Sequence, residues 1–233
     1  MLSLKIANRP FEPPFPDHEV EMDTNRFEKR ARGQGFSIIA GVDEVGRGPL
    51  AGPVVSAAVI LPEKVGLEHL DDSKRLSPAR REQLFEAIYE QAISVGIGLV
   101  DPAEIDRINI LQAALLSMAI AVANLRPTPE YLLVDGTFPV RSKLPQRAVK
   151  HGDRLSSSIS AASIVAKVTR DRLMRLYDDE FPGFGFAKHK GYGTKAHRAA
   201  IRTLGYCPIH RKTFRGVKEY VDGFHGQAYW GNV

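Results

Sequence analysis

The 233-residue sequence is short of several things. It has one cysteine, Cys207, so no disulfide forms within the chain, and the usage fits a reducing compartment. With no motif around it, Cys207 reads as a small packed residue rather than a nucleophile. No apolar run approaches the roughly 20 residues needed to span a bilayer. The N-terminus holds acidic residues and prolines and lacks a basic-then-apolar leader pattern, so a cytoplasmic location is expected. There is no Gly-x-x-x-x-Gly-Lys-Ser/Thr loop, which argues against P-loop nucleotide hydrolysis. There is no Gly-x-Ser-x-Gly, which weakens an esterase reading. No Cys/His pair has the spacing of a zinc site, so His189 and His210 read as structural or substrate-side residues.

What is present is a chain of ordinary globular composition, 43% hydrophobic and 25% charged, long enough for one substantial domain with a small appendage. Its net charge of +5 is unevenly placed. Of the 32 Lys and Arg residues, 18 fall between Arg141 and Tyr220, against 6 of the 27 acidic residues. That stretch therefore carries +12 and the remainder −7. A basic half on an otherwise acidic chain suggests a polyanionic partner, although a solvated helix surface gives the same count.

The most informative stretch runs from Ala40 to Pro53. The apolar run Phe36–Val42 ends in adjacent carboxylates, Asp43 and Glu44. The turn Gly46-Arg47-Gly48 and two prolines follow, then a second apolar run, Val54–Leu61. This reads as strand, acidic tip, tight turn and strand. Two carboxylates at a strand end suit a hard divalent cation. A Gly-Arg-Gly turn lets backbone amides approach an anion or a sugar, with a guanidinium at hand. A hairpin whose charged end simply faces water has the same local sequence, so the case depends on the rest of the chain.

Residues 1–33 read as an extension that is poorly ordered or forms a short surface helix, since Pro10, Pro13, Pro14 and Pro16 break regular structure. Strands are expected near 37–44 and 52–61, a helix over 78–91 capped by Ser77 with Pro78 at its first position, and a strand over 93–100. A buried-face helical region follows Asp101-Pro102 and ends near Asn124. Tyr131–Val134 repeats the opening pattern, an apolar strand ending at Asp135. Arg147–Lys150 reads as a further strand leading to Asp153, a third strand-end carboxylate. A long helix is expected over 155–181, with Lys167 and Arg170 solvated or near phosphate. Helices capped by Thr194 (to Leu204) and by Thr213 (to Val221) complete a C-terminal part, residues 182–233, beside a larger part, residues 34–181, that holds the acidic strand ends. Strands alternating with helices give an α/β fold with a mixed sheet. Its first two strands are antiparallel and its later ones parallel to the first, so that the acidic residues meet at the carboxyl ends of strands.

Carboxylates that close repel unless a cation neutralises them, and Mg²⁺ or Mn²⁺ suits an all-oxygen donor set. With a basic surface nearby, this suggests phosphoryl chemistry on a nucleic acid, in which two ions about 3.5–4 Å apart serve an in-line displacement.

The stretch 41–54 resembles the opening motif of the bacterial ribonuclease HII family, the type 2 ribonucleases H. So do Asp72-Ser73-Lys74, Val134-Asp135-Gly136, Gly152-Asp153, the run Ile159–Asp171 and His189-Lys190-Gly191-Tyr192-Gly193-Thr194, in order from about Ile39 to Val217. The resemblance implies a ribonuclease H-like mixed five-stranded sheet flanked by helices, with a small helical C-terminal part. It implies a metal-dependent endonuclease, Mn²⁺ or Mg²⁺ held by Asp43, Glu44, Asp135 and Asp153 with two ions during catalysis, and substrates that are RNA–DNA hybrids or duplex DNA with single ribonucleotides. It implies a cut 5′ of the ribonucleotide that leaves 3′-hydroxyl and 5′-phosphate ends. Gly46, Arg47, Gly48 and Tyr192 would read the ribonucleotide and its junction, and Lys74 would touch phosphate. His151 departs from the family, which often carries lysine before the Gly-Asp pair. A monomer is expected. Two rivals are a related nuclease that cuts all-DNA substrates and a non-catalytic nucleic-acid binder with solvated carboxylates.

Overall fold

The computed structural model describes residues 23–67 and 76–221. Five strands, β1 (Ile39–Val45), β2 (Val54–Ile60), β3 (Ser94–Val100), β4 (Tyr131–Asp135) and β5 (Gln146–Val149), form one sheet in the order β3-β2-β1-β4-β5. The β1–β2 and β2–β3 pairs are antiparallel, and β1–β4 and β4–β5 are parallel. The mixed sheet and its strand directions are those expected from the sequence, with strand ends moved by one or two residues.

Every residue of β2, Val-Val-Ser-Ala-Ala-Val-Ile, is buried, because helices cover both faces of the sheet. On one face lies α6 (Ser157–Glu180), backed by α2 (Pro78–Gln91), with Ala57 and Val59 packed against Ala161, Ala162 and Val165. On the other lies α4 (Ile110–Ala123), with Ala58 and Ile60 against Met118 and Ala121. The glycines that blur the alternation of β3 have a packing cause. A Cβ on Gly98 would stand 1.9 Å from the Ser117 carbonyl oxygen, so only glycine lets α4 lie this close.

Local capping follows the sequence. Ser77 accepts from the Arg80 amide at the start of α2, and Thr194 accepts from the His197 amide at the start of α8 (Lys195–Leu204). The helical region after Asp101 is two helices, α3 (Pro102–Ile108) and α4, parted by Asn109 at φ +68°, whose side chain caps α4. The segment expected to form a helix from Thr213 to Val221 does not; it holds only a 3-10 turn, Lys218–Tyr220, after a run of bends tied to Asp106 and Glu219.

The extension assigned to residues 1–33 does not stand apart as far as it is described. Arg26–Gly33 is a helix, α1, and Phe27 and Ala31 pack against Ile39, Leu133, Val149 and Ile159. Two apolar residues one turn apart in a charged segment give too weak a period to read as a buried face. Glu28, also buried, accepts from Ser156 Oγ (2.6 Å), the Ser158 amide (3.0 Å) and Ser158 Oγ (2.6 Å). Its carboxylate thus sits at the N-terminus of the 24-residue α6, where unpaired amides and the helix dipole favour negative charge.

The C-terminal part, with α7 (Phe186–His189) and α8, gathers around Phe181, Phe184, Phe186, Ile201 and Cys207. Leu50, Ala51 and Met174 join that cluster, so the β1–β2 loop and the far end of α6 are built into it.

Candidate active site

Parallel pairing decides where the acidic residues meet. Val42 lies opposite Val134 in the β1–β4 register, so Asp43 and Asp135 leave neighbouring strands at the same carboxyl-terminal edge. Their charges interact. Burial pushes the Asp43 carboxyl well above the usual carboxylate range, and the nearby Glu44 and Asp135 charges push it further. Hydrogen bonds from the Ser163 hydroxyl and the Glu44 amide (2.7 Å) act against this. Burial likewise raises Glu44, with Asp135 adding to the effect and Arg47 opposing it. The Arg47 guanidinium lies 3.4 Å from Glu44 Oε1.

Asp153 reaches the same edge by a different route from the one expected. It does not end a strand. After β5 the chain turns through His151, at φ +56°, into a single helical turn, α5 (Gly152–Leu155), that carries a buried Asp153. The Gly152 amide donates to Asp135 Oδ1 at 2.7 Å, which ties this turn to the end of β4. The expected helix start at 155 therefore divides into α5 and α6, with Ser156 as the cap between them.

A donor set made only of carboxylate oxygens, two of them held against ionisation by burial and by one another, suits a hard divalent cation. As the side chains lie, no three described His, Cys, Asp or Glu residues converge on a common ion position. Asp43 and Asp135 each turn an oxygen to a backbone amide. The fit is one of donor chemistry and shared location.

The Gly46–Gly48 turn extends from this edge. Gly46 has φ +98°, and a Cβ there would stand 2.4 Å from Arg170 Nε, so the fold itself requires glycine. Gly48 is different. Its backbone is not left-handed, and the nearest atom to an added Cβ is Tyr192 Cε1 at 3.7 Å. Tyr192 is exposed and stands over that open position. The Gly191 carbonyl accepts from the Leu50 amide at 2.8 Å, which fixes the Tyr192 loop to the β1–β2 loop.

Behind Tyr192 is a relay of neutral histidines. The Cys207 amide donates to His210 Nδ1 (3.0 Å), so His210 carries its proton on Nε2. That proton faces His197 Nε2 (3.0 Å), which leaves His197 Nδ1 to donate to the Tyr192 carbonyl (3.0 Å). Burial lowers His197 to about 4 and His210 to about 3, and pushes the Cys207 thiol up to about 12. The histidines are structural parts of the Tyr192 loop, and Cys207 is a packed residue.

Arg170, expected in solvent or near phosphate, is not solvated. It is wholly buried and donates to the carbonyls of Ala51, Pro53 and Lys190. Lys167 is paired with Asp171 at 2.7 Å. Lys74 lies outside the described residues. From the sequence alone Ser163, Gly152 and Arg211 carry no role. The first two lie inside motifs of the resemblance, but their contacts are made across the fold.

A family model described as Ribonuclease HII matches residues 40–217. Ribonuclease HII of Geobacter metallireducens is 60% identical over 208 residues, covering 89% of this chain and 98% of that protein. Among solved structures, ribonuclease H2 from Pyrococcus horikoshii OT3 superposes with a TM-score of 0.66 at 30% identity, over 78% of this chain and 96% of that one. A Bst-RNase HIII structure in complex with Mn²⁺ shares the fold, with a TM-score of 0.60 at 20% identity over 82% of this chain and 71% of that one. The five-stranded mixed sheet with its flanking helices is thus of the ribonuclease H type.

Proposed function

This chain belongs to the ribonuclease HII family and is an endonuclease of the ribonuclease H type, and we propose that it hydrolyses the RNA strand of RNA–DNA hybrids and incises duplex DNA 5′ of single embedded ribonucleotides. The products would carry 3′-hydroxyl and 5′-phosphate ends. The observation that supports this most is the meeting of Asp43, Glu44 and Asp135 at one sheet edge, directly before the Gly46–Gly48 turn and Tyr192.

In this reading Asp43, Glu44, Asp135 and Asp153 hold divalent ions, Mn²⁺ or Mg²⁺ and two during catalysis. When bound, these supply a lowered pKa for an attacking water and neutralise charge on the leaving oxygen. Support comes from the oxygen-only donor set and from the Mn²⁺ in the related RNase HIII structure. The chain's own residues orient the substrate. The Gly46–Gly48 turn offers amides to a 2′-hydroxyl, the group that separates RNA from DNA at a site. The open face of Gly48 leaves room for a sugar, and the Tyr192 ring offers a stacking surface at the junction. Arg47, beside Glu44, keeps a positive charge at the entrance. Lys74 is assigned to phosphate. The excess of basic residues between Arg141 and Tyr220 would draw in the duplex. The protein would act as a monomer in the cytoplasm. Among the described residues no helix is long and apolar enough to cross a membrane.

The test is a duplex DNA carrying one ribonucleotide, incubated with Mg²⁺, with Mn²⁺ and with chelator, and the cut mapped to the nucleotide. Metal-dependent cleavage 5′ of the ribonucleotide is expected. Cleavage of an all-DNA control at a similar rate, or none of either substrate, would overturn the assignment.

A further inference from the structure

The β1–β2 loop is held from beneath by two buried guanidiniums. Arg211 donates through Nη2 to the Gly46 carbonyl (2.5 Å), through Nη1 to those of Arg47 (3.0 Å) and Pro49 (2.9 Å), and through Nε and Nη2 to that of Gly52 (3.0 and 2.8 Å). Arg170 donates to Ala51 (3.1 Å) and Pro53 (2.9 Å), and its remaining nitrogen donates to Lys190 in the Tyr192 loop (2.9 Å). Six of the eight carbonyls from Gly46 to Pro53 are thus turned inward to the two side chains. Both guanidiniums are fully buried, and burial lowers Arg170 to about 10 and Arg211 to about 9, which leaves both charged at neutral pH.

Peptide geometry gives this a consequence. The loop's peptide bonds are trans, so each carbonyl and the following N–H point in opposite directions. Arg211 draws in the carbonyls of Gly46 and Arg47, and so directs the amides of Arg47 and Gly48 outward. Those two residues are exposed, and Gly48 lies beneath Tyr192. A carbonyl that accepts a charge-assisted bond also leaves its own amide a stronger donor.

We propose that Arg211, seconded by Arg170, is a positioning residue for ribonucleotide selection: it fixes and polarises the Arg47 and Gly48 amides as donors to a 2′-hydroxyl. This rests on the ribonucleotide-reading role given above to the Gly46–Gly48 turn. Neither arginine touches substrate. Lysine would keep the charge but lose the planar fork that spans several carbonyls, so Arg211→Lys isolates geometry from charge.

The test uses the full chain with Mg²⁺. Steady-state cleavage of a single-ribonucleotide duplex gives KM, and the all-DNA duplex of the same sequence, added as competitor, gives Ki. In the wild type Ki should exceed KM. In Arg211→Lys, KM should rise about tenfold, the scale of a weakened hydrogen-bond pair, while Ki stays within about twofold. Arg170→Lys should do the same to a smaller degree, since its bonds lie at the far end of the loop. A parallel rise of KM and Ki would mean that the amides meet phosphate or that the arginines serve only the fold, and it would overturn the proposal. So would an unchanged KM, or failure of both variants to fold by circular dichroism. If the wild type itself shows Ki equal to KM, the reading of the turn fails first and the proposal falls with it.

Discussion

The Tyr192 ring lies against Gly48: a Cβ on that glycine would stand 3.7 Å from Cε1, in ordinary contact and with no other atom within 4 Å. Gly46, two residues earlier, has a left-handed backbone and no such room. The two glycines of the turn are therefore there for different reasons. Gly46→Ala should destabilise the protein by about 1–3 kcal/mol, the cost of forcing a side chain into a strained backbone. Gly48→Ala should leave the melting temperature within about 2 °C, yet lower kcat/KM on a single-ribonucleotide duplex by about tenfold or more, because the added methyl occupies the space beneath Tyr192. Thermal melts and cleavage assays on the pair separate the two. Near-native turnover by Gly48→Ala would remove that glycine from the substrate face.

Asp135→Asn should keep hybrid binding but lose about 100-fold or more in turnover, since it removes one oxygen anion from the donor set. Unchanged turnover at saturating Mg²⁺ would exclude Asp135 from that set. Asp43→Asn should also be inactive. Metal-free, however, it should melt about 2–4 °C higher at neutral pH, because it removes a carboxyl whose ionisation burial and its neighbours oppose, worth about 1 kcal/mol. A lower melting temperature would contradict the electrostatic account of Asp43.

Glu28 joins α1 to the first turn of α6 through three hydrogen bonds to one oxygen. Glu28→Ala should cost about 2 kcal/mol and lower the melting temperature by about 4–8 °C. Glu28→Gln, which keeps an acceptor but not the charge at the helix end, should cost less. Activity at a temperature where both variants are folded should change little. Equal melting of wild type and Glu28→Ala would make the contact incidental.

Acid should loosen the C-terminal part. His197 and His210 titrate in the fold near 4 and 3, against 6.5 for an unperturbed imidazole. Their neutral forms favour the folded state. That contribution is complete above pH 6.5 and declines as pH falls toward 4, by about 1.4 kcal/mol per pH unit for each histidine. Chemical denaturation between pH 7.5 and 5 should show this fall, and His210→Gln should flatten it by roughly half. An unaltered slope in the variant would place the acid sensitivity elsewhere.

The sheet was legible in the sequence because its strands are apolar runs ended by Gly, Pro and Asp, and helices such as α2 and α8 because Ser77-Pro78 and Thr194 mark their starts. Asp43, Glu44 and Asp135 stood out as carboxylates at the ends of apolar strands, a position that no core uses. Other features have no local trace. A one-turn helix such as α5 is too short for a period, so Asp153 was expected at the end of a strand. The helix expected after Thr213 is broken at Gly216, which takes a left-handed backbone, φ +102°, and gives its amide to Glu219 Oε2 instead of to a preceding carbonyl.

By itself the sequence determined the strands and helices, the acidic strand ends and the family, since these depend on neighbours a few residues apart. Only the tertiary structure decided that α1 belongs to the body of the protein, and that Gly46 serves the fold while Gly48 faces open space. It also decided that Arg170 and Arg211 are buried beneath a loop more than a hundred residues away. A buried arginine and a solvated one look alike in a sequence. What separates them is whether distant carbonyls have been brought within hydrogen-bond reach, and that is a property of the packed chain.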